Sequence, residues 1–313
     1  MKKKNNPVIF VVGATATGKS EWALKLAQEF GGVIFNCDSI QVYKKLDIGS
    51  AKPSKEEQLL VPHYLLDYVA PPEEMTAGNY ARDFFEAIEK VPEGKPVFVV
   101  GGTGFYFMAV EKGMYPVTKV APELQKQVEA EMANQGGPEK LHAELVAVDP
   151  EYGAKIHISD HYRIGRAIEL IRSQGKSVTQ IQKEFEEARE EFPYPLLKIG
   201  PSWDREVLRE RIRLRSQKMI QAGLVDEVKN LLDQGLESWA PMSSVGYKET
   251  IAFIRGELTE QQLLEEIAKN TSQLAKRQKT WFQRDKQIQW FDGNLGFPEA
   301  RDLVEKFLKS LTR

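Results

Sequence analysis

Gly13-Ala14-Thr15-Ala16-Thr17-Gly18-Lys19-Ser20 combines two glycines, a lysine and a hydroxyl at the spacing G-x-x-x-x-G-K-[ST], directly after an apolar run at residues 8–12. The chemistry of that combination is phosphate binding. Its glycines let the backbone curl so that N–H groups point inward, and the helix that follows adds the positive end of its dipole. Lys19 then reaches outer phosphate oxygens and Ser20 ligates Mg²⁺. A phosphorylated ligand is implied; the motif is shared with ATP-binding proteins but does not make the ligand ATP. Asp38 stands at the edge where parallel sheets bind ligands, or else is a cap for the next turn. Gly101-Gly102-Thr103-Gly104 carries a similar choice: glycines for close backbone approach to a ligand and a hydroxyl that donates to a phosphate or leaving oxygen, or a turn with a capping threonine. Arg211 and Arg215, four apart in a basic run at 205–220, can turn their guanidinium groups toward phosphate from the inner edge of a helix.

The elements needed to position these groups are present in order. Residues 8–12 read as a buried strand, and residues 21–30, with Trp22, Leu26 and Phe30 at helical spacing, as a helix stopped by Gly31-Gly32. A second strand, 33–37, runs into Asp38. Strand, loop, helix, strand makes a parallel pair with a right-handed crossover, and ligands collect beyond the carboxyl ends of such strands. A helix over 77–90 precedes a third strand, 96–100, that ends in glycines where a usual P-loop ATPase carries an aspartate for Mg²⁺. Between them, residues 39–80 read as loop-rich, and an isolated His63 reads as a hydrogen-bonded structural histidine. From 119 to 195 the pattern is helical throughout, with Leu124, Val128 and Met132, Leu141 and Leu145, and Ile164, Ile168 and Ile171 as apolar stripes. Strands return at 196–200 and 288–291. The expected fold is α/β: a P-loop NTPase-like parallel sheet flanked by helices, formed by 1–118 and 196–313, with an all-helical insertion domain at 119–195.

Composition bounds the class. The chain has 313 residues, 42% of them hydrophobic, enough for one large core or two domains. A lone cysteine, Cys37, excludes an internal disulfide and suits a reducing compartment. The start of the chain is basic but has no apolar signal-peptide core, and no run reaches membrane-spanning length, so a soluble cytoplasmic protein is expected. A formal charge of -2 does not point to nucleic acid, but its distribution does. Residues 276–286 carry five positive charges against one negative, with aromatics interleaved. That is a footprint for a nucleic-acid backbone, or a solvated amphipathic helix with Trp281 packed inward; both can hold at once. Arg163 and Arg166, three apart in the insertion, and the acidic run 184–191 read most simply as solvated helix surface.

Taken together, the segments resemble the tRNA dimethylallyltransferases, also called tRNA isopentenyltransferases. The likeness runs nearly end to end, through residues 13–20, 38–44, 47–53, 61–67, 101–106, 246–249 and 273–282. Departures are Ala14 for a proline, Thr17 for a serine, and His157-Ile158-Ser159-Asp160 for His-Pro-Asn-Asp, which leaves His157 without an assigned role. The resemblance implies transfer of a dimethylallyl group from dimethylallyl diphosphate to N6 of the adenosine 3′ of the anticodon. It also accounts for the missing aspartate, since no nucleotide need be hydrolysed. Gly13, Thr15, Ala16, Thr17, Gly18, Lys19 and Ser20 would hold the donor diphosphate with Mg²⁺ on Ser20; Asp38, Thr103 and Arg215 would be catalytic. Asp38, Ser39, Ile40 and Gln41 would meet the flipped base, with Arg163, Arg166, Lys276, Arg277, Lys279, Trp281 and Arg284 along the tRNA anticodon stem-loop. A monomer with no membrane contact is expected. Two rivals share parts of this pattern: an adenylate isopentenyltransferase acting on free nucleotide, and a P-loop small-molecule kinase.

Overall fold

The computed structural model describes residues 5–114 and 120–311; the basic start of the chain and the expected boundary at 118/119 lie outside the described residues. Contacts divide the chain into two compact units, residues 1–111 with 192–313, and residues 112–191.

In the first unit, β1 (Val8–Val12) leads through the phosphate loop into α1 (Lys19–Glu29), followed by β2 (Val33–Asn36), α2 (Lys55–Leu60), β3 (His63–Tyr64), α3 (Ala77–Ile88), β4 (Val97–Gly101) and α4 (Gly104–Lys112). All of the described strands pair in parallel, in the order β3-β2-β4-β1-β5-β6, where β5 is Leu196–Ser202 and β6 is Gln289–Asp292, with Val12 opposite Gly101 and Asn36 opposite Val100. The carboxyl ends of β1, β2 and β4 therefore meet at one edge. β1 is buried on both faces because Val8, Phe10 and Val12 enter one core with Phe35, Phe84 and Phe107, while Ile9 and Val11 enter another with Trp22, Leu26 and Phe98. This two-sided burial is why the strands read as continuous apolar runs rather than alternating ones.

In the second unit, α5 (Pro122–Ala133), α6 (Gly137–Val148), α7 (Pro150–Gly153), α8 (His161–Gln174) and α9 (Val178–Ala188) surround Val128, Leu141, Leu145, Ile164 and Ile168. Arg172 ties three of these helices together, bonding Glu131 and Glu144 at 2.8–3.0 Å, and its guanidinium holds the Glu131 carboxyl down at about 2.

The first unit resumes with β5 (Leu196–Ser202), α10 (Arg205–Gln221), α11 (Leu224–Asp233), α12 (Tyr247–Ile254), α13 (Glu260–Phe282), β6 (Gln289–Asp292) and α14 (Phe297–Leu311). Ala300 and Val304 of α14 close the core on the α1 face of the sheet. Lys198 of β5 is buried and held by Glu111 at 2.6 Å and Asp285 at 2.7 Å, so the strand carries a neutralised charge in place of an apolar side chain. Among the described residues no helix is long and apolar enough to cross a membrane.

Three local readings change. The 39–80 segment holds α2 and β3. α2 has a capping box, Ser54 with Glu57, but buries no side chain, so no apolar stripe marked it. α13 ends at Phe282, which leaves Arg284 and Lys286 beyond the helix. Gly101, Gly102 and Gly104 admit protein neighbours: a Cβ at each would lie 1.9 Å from the Cys37 carbonyl oxygen, 2.3 Å from Gln278 and 2.2 Å from Trp281. The glycine run is a packing device between the ends of β2, α13 and β4.

Candidate active site

The phosphate loop is shaped by two left-handed residues, Ala16 at φ 64° and Gly18 at φ 90°. Ala16 holds this conformation at a cost of about 1–2 kcal/mol, as loop residues at ligand sites commonly do. Gly18 precedes α1 without a side chain to cap it, which leaves the first N–H groups of the helix for an anion. Ala14 is buried against Ile212 of α10 and Ala275 of α13, so the loop lies under both basic helices. Arg215 donates from Nη1 to Thr15 Oγ1 at 2.8 Å, and Arg211 from Nε to the Ala16 carbonyl at 2.9 Å. Trp203 supports Arg211, its ring 4.3 Å from the guanidinium, and donates its own N–H to the Thr17 carbonyl. Lys19 Nζ donates to the Ala14 carbonyl at 3.2 Å, with two further N–H donors for a ligand. Burial first, and the Arg215 charge second, push the Lys19 ammonium down to about 8.

These groups line one cavity of about 480 Å³, whose wall includes Thr15, Ala16, Gly18, Lys19, Ser20, Asp38, Gln41, Lys52, Arg211 and Arg215. Two carboxylates, Asp38 and Glu57, thus share this space with five cationic side chains, Lys19, Lys52, Arg211, Arg215 and Lys218. Asp38 Oδ1 also accepts from the N–H groups of Ile40 at 2.9 Å and Gln41 at 3.4 Å, so the residue is both turn cap and wall. Ser20 is exposed on the wall. Among the described residues no three His, Cys, Asp or Glu side chains gather as a metal cage. The exposed Ser20 hydroxyl on this wall fits a Mg²⁺ held jointly with a diphosphate, as Mg²⁺ is commonly bound.

The sequence pattern of the family described as IPP transferase matches residues 41–285. The chain belongs to this family. It is 73% identical to a tRNA dimethylallyltransferase of Bdellovibrio bacteriovorus over 96% of this chain and 98% of that protein. It is 40% identical to one from Geobacter metallireducens, covering 93% and 94% of the two chains. Among solved structures it resembles the full-length tRNA isopentenylpyrophosphate transferase of Bacillus halodurans, with a TM-score of 0.71, 31% identity and coverage of 99% and 98%. It has the fold of a eukaryotic dimethylallyltransferase acting on tRNA, with a TM-score of 0.80 at 24% identity over 96% and 80%.

In this IPP transferase several expected site residues stand behind the wall. Thr17 is buried, its hydroxyl donating to the Ala14 carbonyl at 2.8 Å, and Gly13 packs against it; both shape the loop from inside. The Thr103 hydroxyl is held by Ser39: it accepts the Ser39 N–H at 2.9 Å and donates to Ser39 Oγ at 3.3 Å. It joins the ends of β4 and β2 and would have to release Ser39 to meet a phosphate. The Ile40 side chain packs on the core rather than into the cavity. Gln41 donates its amide N–H groups to the Ser50 and Ala51 carbonyls, each at 3.0 Å, so its carbonyl oxygen is what remains for a base. His63 fulfils the structural reading, with Nδ1 2.7 Å from the Val61 carbonyl, and it also lines the cavity.

Two positioning groups of this family member had no local signal. Glu227 of α11 accepts N–H groups of Asp47, Ile48 and Gly49 at 2.7–3.0 Å and the Tyr247 hydroxyl at 2.8 Å. Gly49 exists because Tyr247 lies there: a Cβ would come within 2.4 Å of its ring. This clamp holds the 47–53 loop, which supplies Ala51, Lys52 and Pro53 to the wall. Gln278 of α13 accepts the Thr15 N–H at 2.8 Å and donates to the Gly102 carbonyl at 3.0 Å, joining the phosphate loop to the end of β4.

The expected RNA contacts differ in availability. Arg163 pairs with Asp160 at 2.9 Å and Arg166 with Glu169, so each must exchange an internal acid for a phosphate. His157 bonds Ser159 in the turn before α8. Lys276, Arg277, Lys279 and Arg284 are exposed and form no ion pair with a described residue. Trp281 is half-buried against Phe105 and Gly104.

Proposed function

We propose that this chain transfers the dimethylallyl group of dimethylallyl diphosphate to N6 of the adenosine immediately 3′ of the anticodon in tRNA, releasing pyrophosphate. The observation that carries the reading is one cavity shared by a phosphate loop, two arginines and the Asp38 carboxylate in a member of the IPP transferase family. The loop N–H groups, Lys19 and Arg215 bind the diphosphate and stabilise the negative charge that grows on it as the allylic C–O bond breaks and its electron pair leaves with oxygen. Arg211 holds the loop in shape. The N6 lone pair forms the new C–N bond, and Asp38 accepts the N6 proton. Thr103 acts through Ser39 at the edge of the same site. Ser20 would hold a Mg²⁺ ion, which would supply further charge neutralisation on the leaving group.

The acceptor base must leave its stack to enter the cavity, where Gln41 and Ser39 meet its edge. Lys276, Arg277, Lys279 and Arg284 run along phosphates of the anticodon stem-loop, and the helical unit with Arg163 and Arg166 grips the stem. The enzyme works as a monomer in the cytoplasm. Incubation with labelled dimethylallyl diphosphate and tRNA, AMP or ATP tests this reading: label should pass to tRNA alone, and transfer to AMP or ATP instead would replace it with the free-nucleotide reading.

Binding of the donor should change with pH. The Lys19 ammonium is lowered from 10.5 to about 8 in the ligand-free protein, and a bound diphosphate favours the charged form again. Without ligand, the unfolded chain binds the extra proton between these values, so the Lys19 contribution makes stability rise with pH across that window. With ligand, proton uptake accompanies binding at about pH 8.5, and donor affinity declines as pH rises further. Calorimetry in buffers of different ionisation enthalpy reads this directly; identical heats in all buffers would contradict it.

Salt reads the RNA surface. Alanine at any one of Lys276, Arg277, Lys279 or Arg284 should weaken tRNA binding and flatten the slope of log affinity against log salt by about 0.7 to 0.9 unit. Donor affinity should not change. Unchanged slopes in all four variants would remove this surface from the reading.

A further inference from the structure

We propose that Phe105, backed by Trp281, is a stacking platform for an unpaired base of the anticodon loop, outside the cavity that takes the acceptor adenine. The inference rests on the tRNA-prenylating reading and adds a contact to it. Phe105 is 55% exposed, yet its ring is not loose: its centroid lies 4.5 Å from that of Trp281, at an interplanar angle of 47°. Trp281 is fixed in turn by Gly104, where a Cβ would come within 2.2 Å of the indole. The next residue, Phe282, is buried and meets Phe107 edge-on at 5.8 Å. A ring held in water by this much packing is pre-organised to receive a flat partner.

Its position gives the partner. Phe105 stands in the first turn of α4, directly after the β4 end whose Gly101 lines the cavity. Gln278, one turn before Trp281, binds both Gly102 and the phosphate-loop N–H of Thr15. Platform and cavity are therefore built on the same elements. In the segment that carries Trp281, Lys276, Arg277, Lys279 and Arg284 are exposed and make no ion pair with a described residue, while Asp285, the acid among them, holds buried Lys198. An exposed aromatic face backed by a segment rich in exposed cations is what single-stranded nucleic acid requires, since its bases present free faces and its backbone presents charge. Duplex RNA offers no such face. An anionic membrane would also attract the cations, but the ledge offers a single well-exposed ring, with Trp281 half-buried behind it.

The test uses the full chain, with Phe105→Ala and Phe105→Trp, and an anticodon stem-loop RNA as probe. Phe105→Ala should raise the RNA dissociation constant about 5- to 100-fold, and Phe105→Trp should restore most of it. The dissociation constant for dimethylallyl diphosphate and the melting temperature should stay at wild-type values, which excludes a folding defect. Replacing a loop base next to the acceptor adenosine by an abasic site should weaken wild-type binding and leave Phe105→Ala nearly indifferent. Equal RNA binding by wild type and Phe105→Ala, or a loss seen only on vesicles of anionic lipid, overturns the platform. Prenylation of the same RNA by wild type separates the two levels: normal prenylation with an unchanged Phe105→Ala constant defeats the platform alone, whereas absent prenylation defeats the underlying reading as well.

Discussion

Replacing Lys19 by alanine lowers the rate of prenyl transfer by about 10²- to 10³-fold, the usual loss for one donor aimed at a developing anion, while tRNA affinity stays near the wild-type value. The residue is buried beneath the phosphate loop, and Arg215 shares the cavity with it. Negative charge on the leaving diphosphate is greater in the transition state than in the bound donor, so the missing ammonium is felt in turnover more than in binding. Arg215 and the loop N–H groups remain, which bounds the loss. Thr103→Ala should slow the reaction too, and by less, because that hydroxyl is engaged by Ser39. The measurement is single-turnover transfer at saturating donor, with tRNA binding followed separately. A large loss of tRNA affinity with normal turnover of the bound complex would show that Lys19 serves the acceptor side.

Asp38→Asn slows the chemical step by about 10²-fold or more and leaves tRNA bound, the loss typical of removing a positioned general base. Asparagine retains an oxygen for the Ile40 and Gln41 N–H groups, so the turn after β2 keeps its shape. What disappears is the acceptor proposed for the N6 proton. Loss of the negative charge near Lys19 and Arg215 should also tighten donor binding slightly, which separates this variant from one that merely loosens the site. Single-turnover rates near those of the wild type would mean that Asp38 positions the amine or a metal and takes no proton.

Much of the site is legible along the chain because its parts are local. The phosphate loop needs its glycines, lysine and serine within eight consecutive residues, and the strand before it is a five-residue apolar run because both of its faces are buried. Asp38 follows β2 by two positions, at the edge where parallel sheets bind ligands. The i,i+4 spacing of Arg211 and Arg215 on a helix with one buried stripe brings both to one side, and that side meets the loop. Within residues 112–191 the apolar stripes of α5, α6 and α8 mark a helical core by periodicity alone.

Where the partner is remote, spacing carries no information. Gln278 reaches Thr15 across 263 positions, and Glu227 reaches Ile48 across 179, so neither glutamine nor glutamate looked different from a solvated helix residue. The glycines after β4 could equally have admitted a ligand; only the packed chain puts Cys37, Gln278 and Trp281 where their side chains would be. Thr103 has the chemistry to donate to phosphate, and the tertiary fold sets its hydroxyl beside Ser39, whose N–H it accepts. α2 escaped notice because it buries nothing, and helical periodicity is a record of burial. The sequence alone therefore specifies most of the groups that line the cavity and the strands that carry them, since local geometry suffices for both. The tertiary structure decides which hydroxyls and amides remain free to act, because a hydrogen-bonding group engaged by a distant neighbour is no longer available to a substrate.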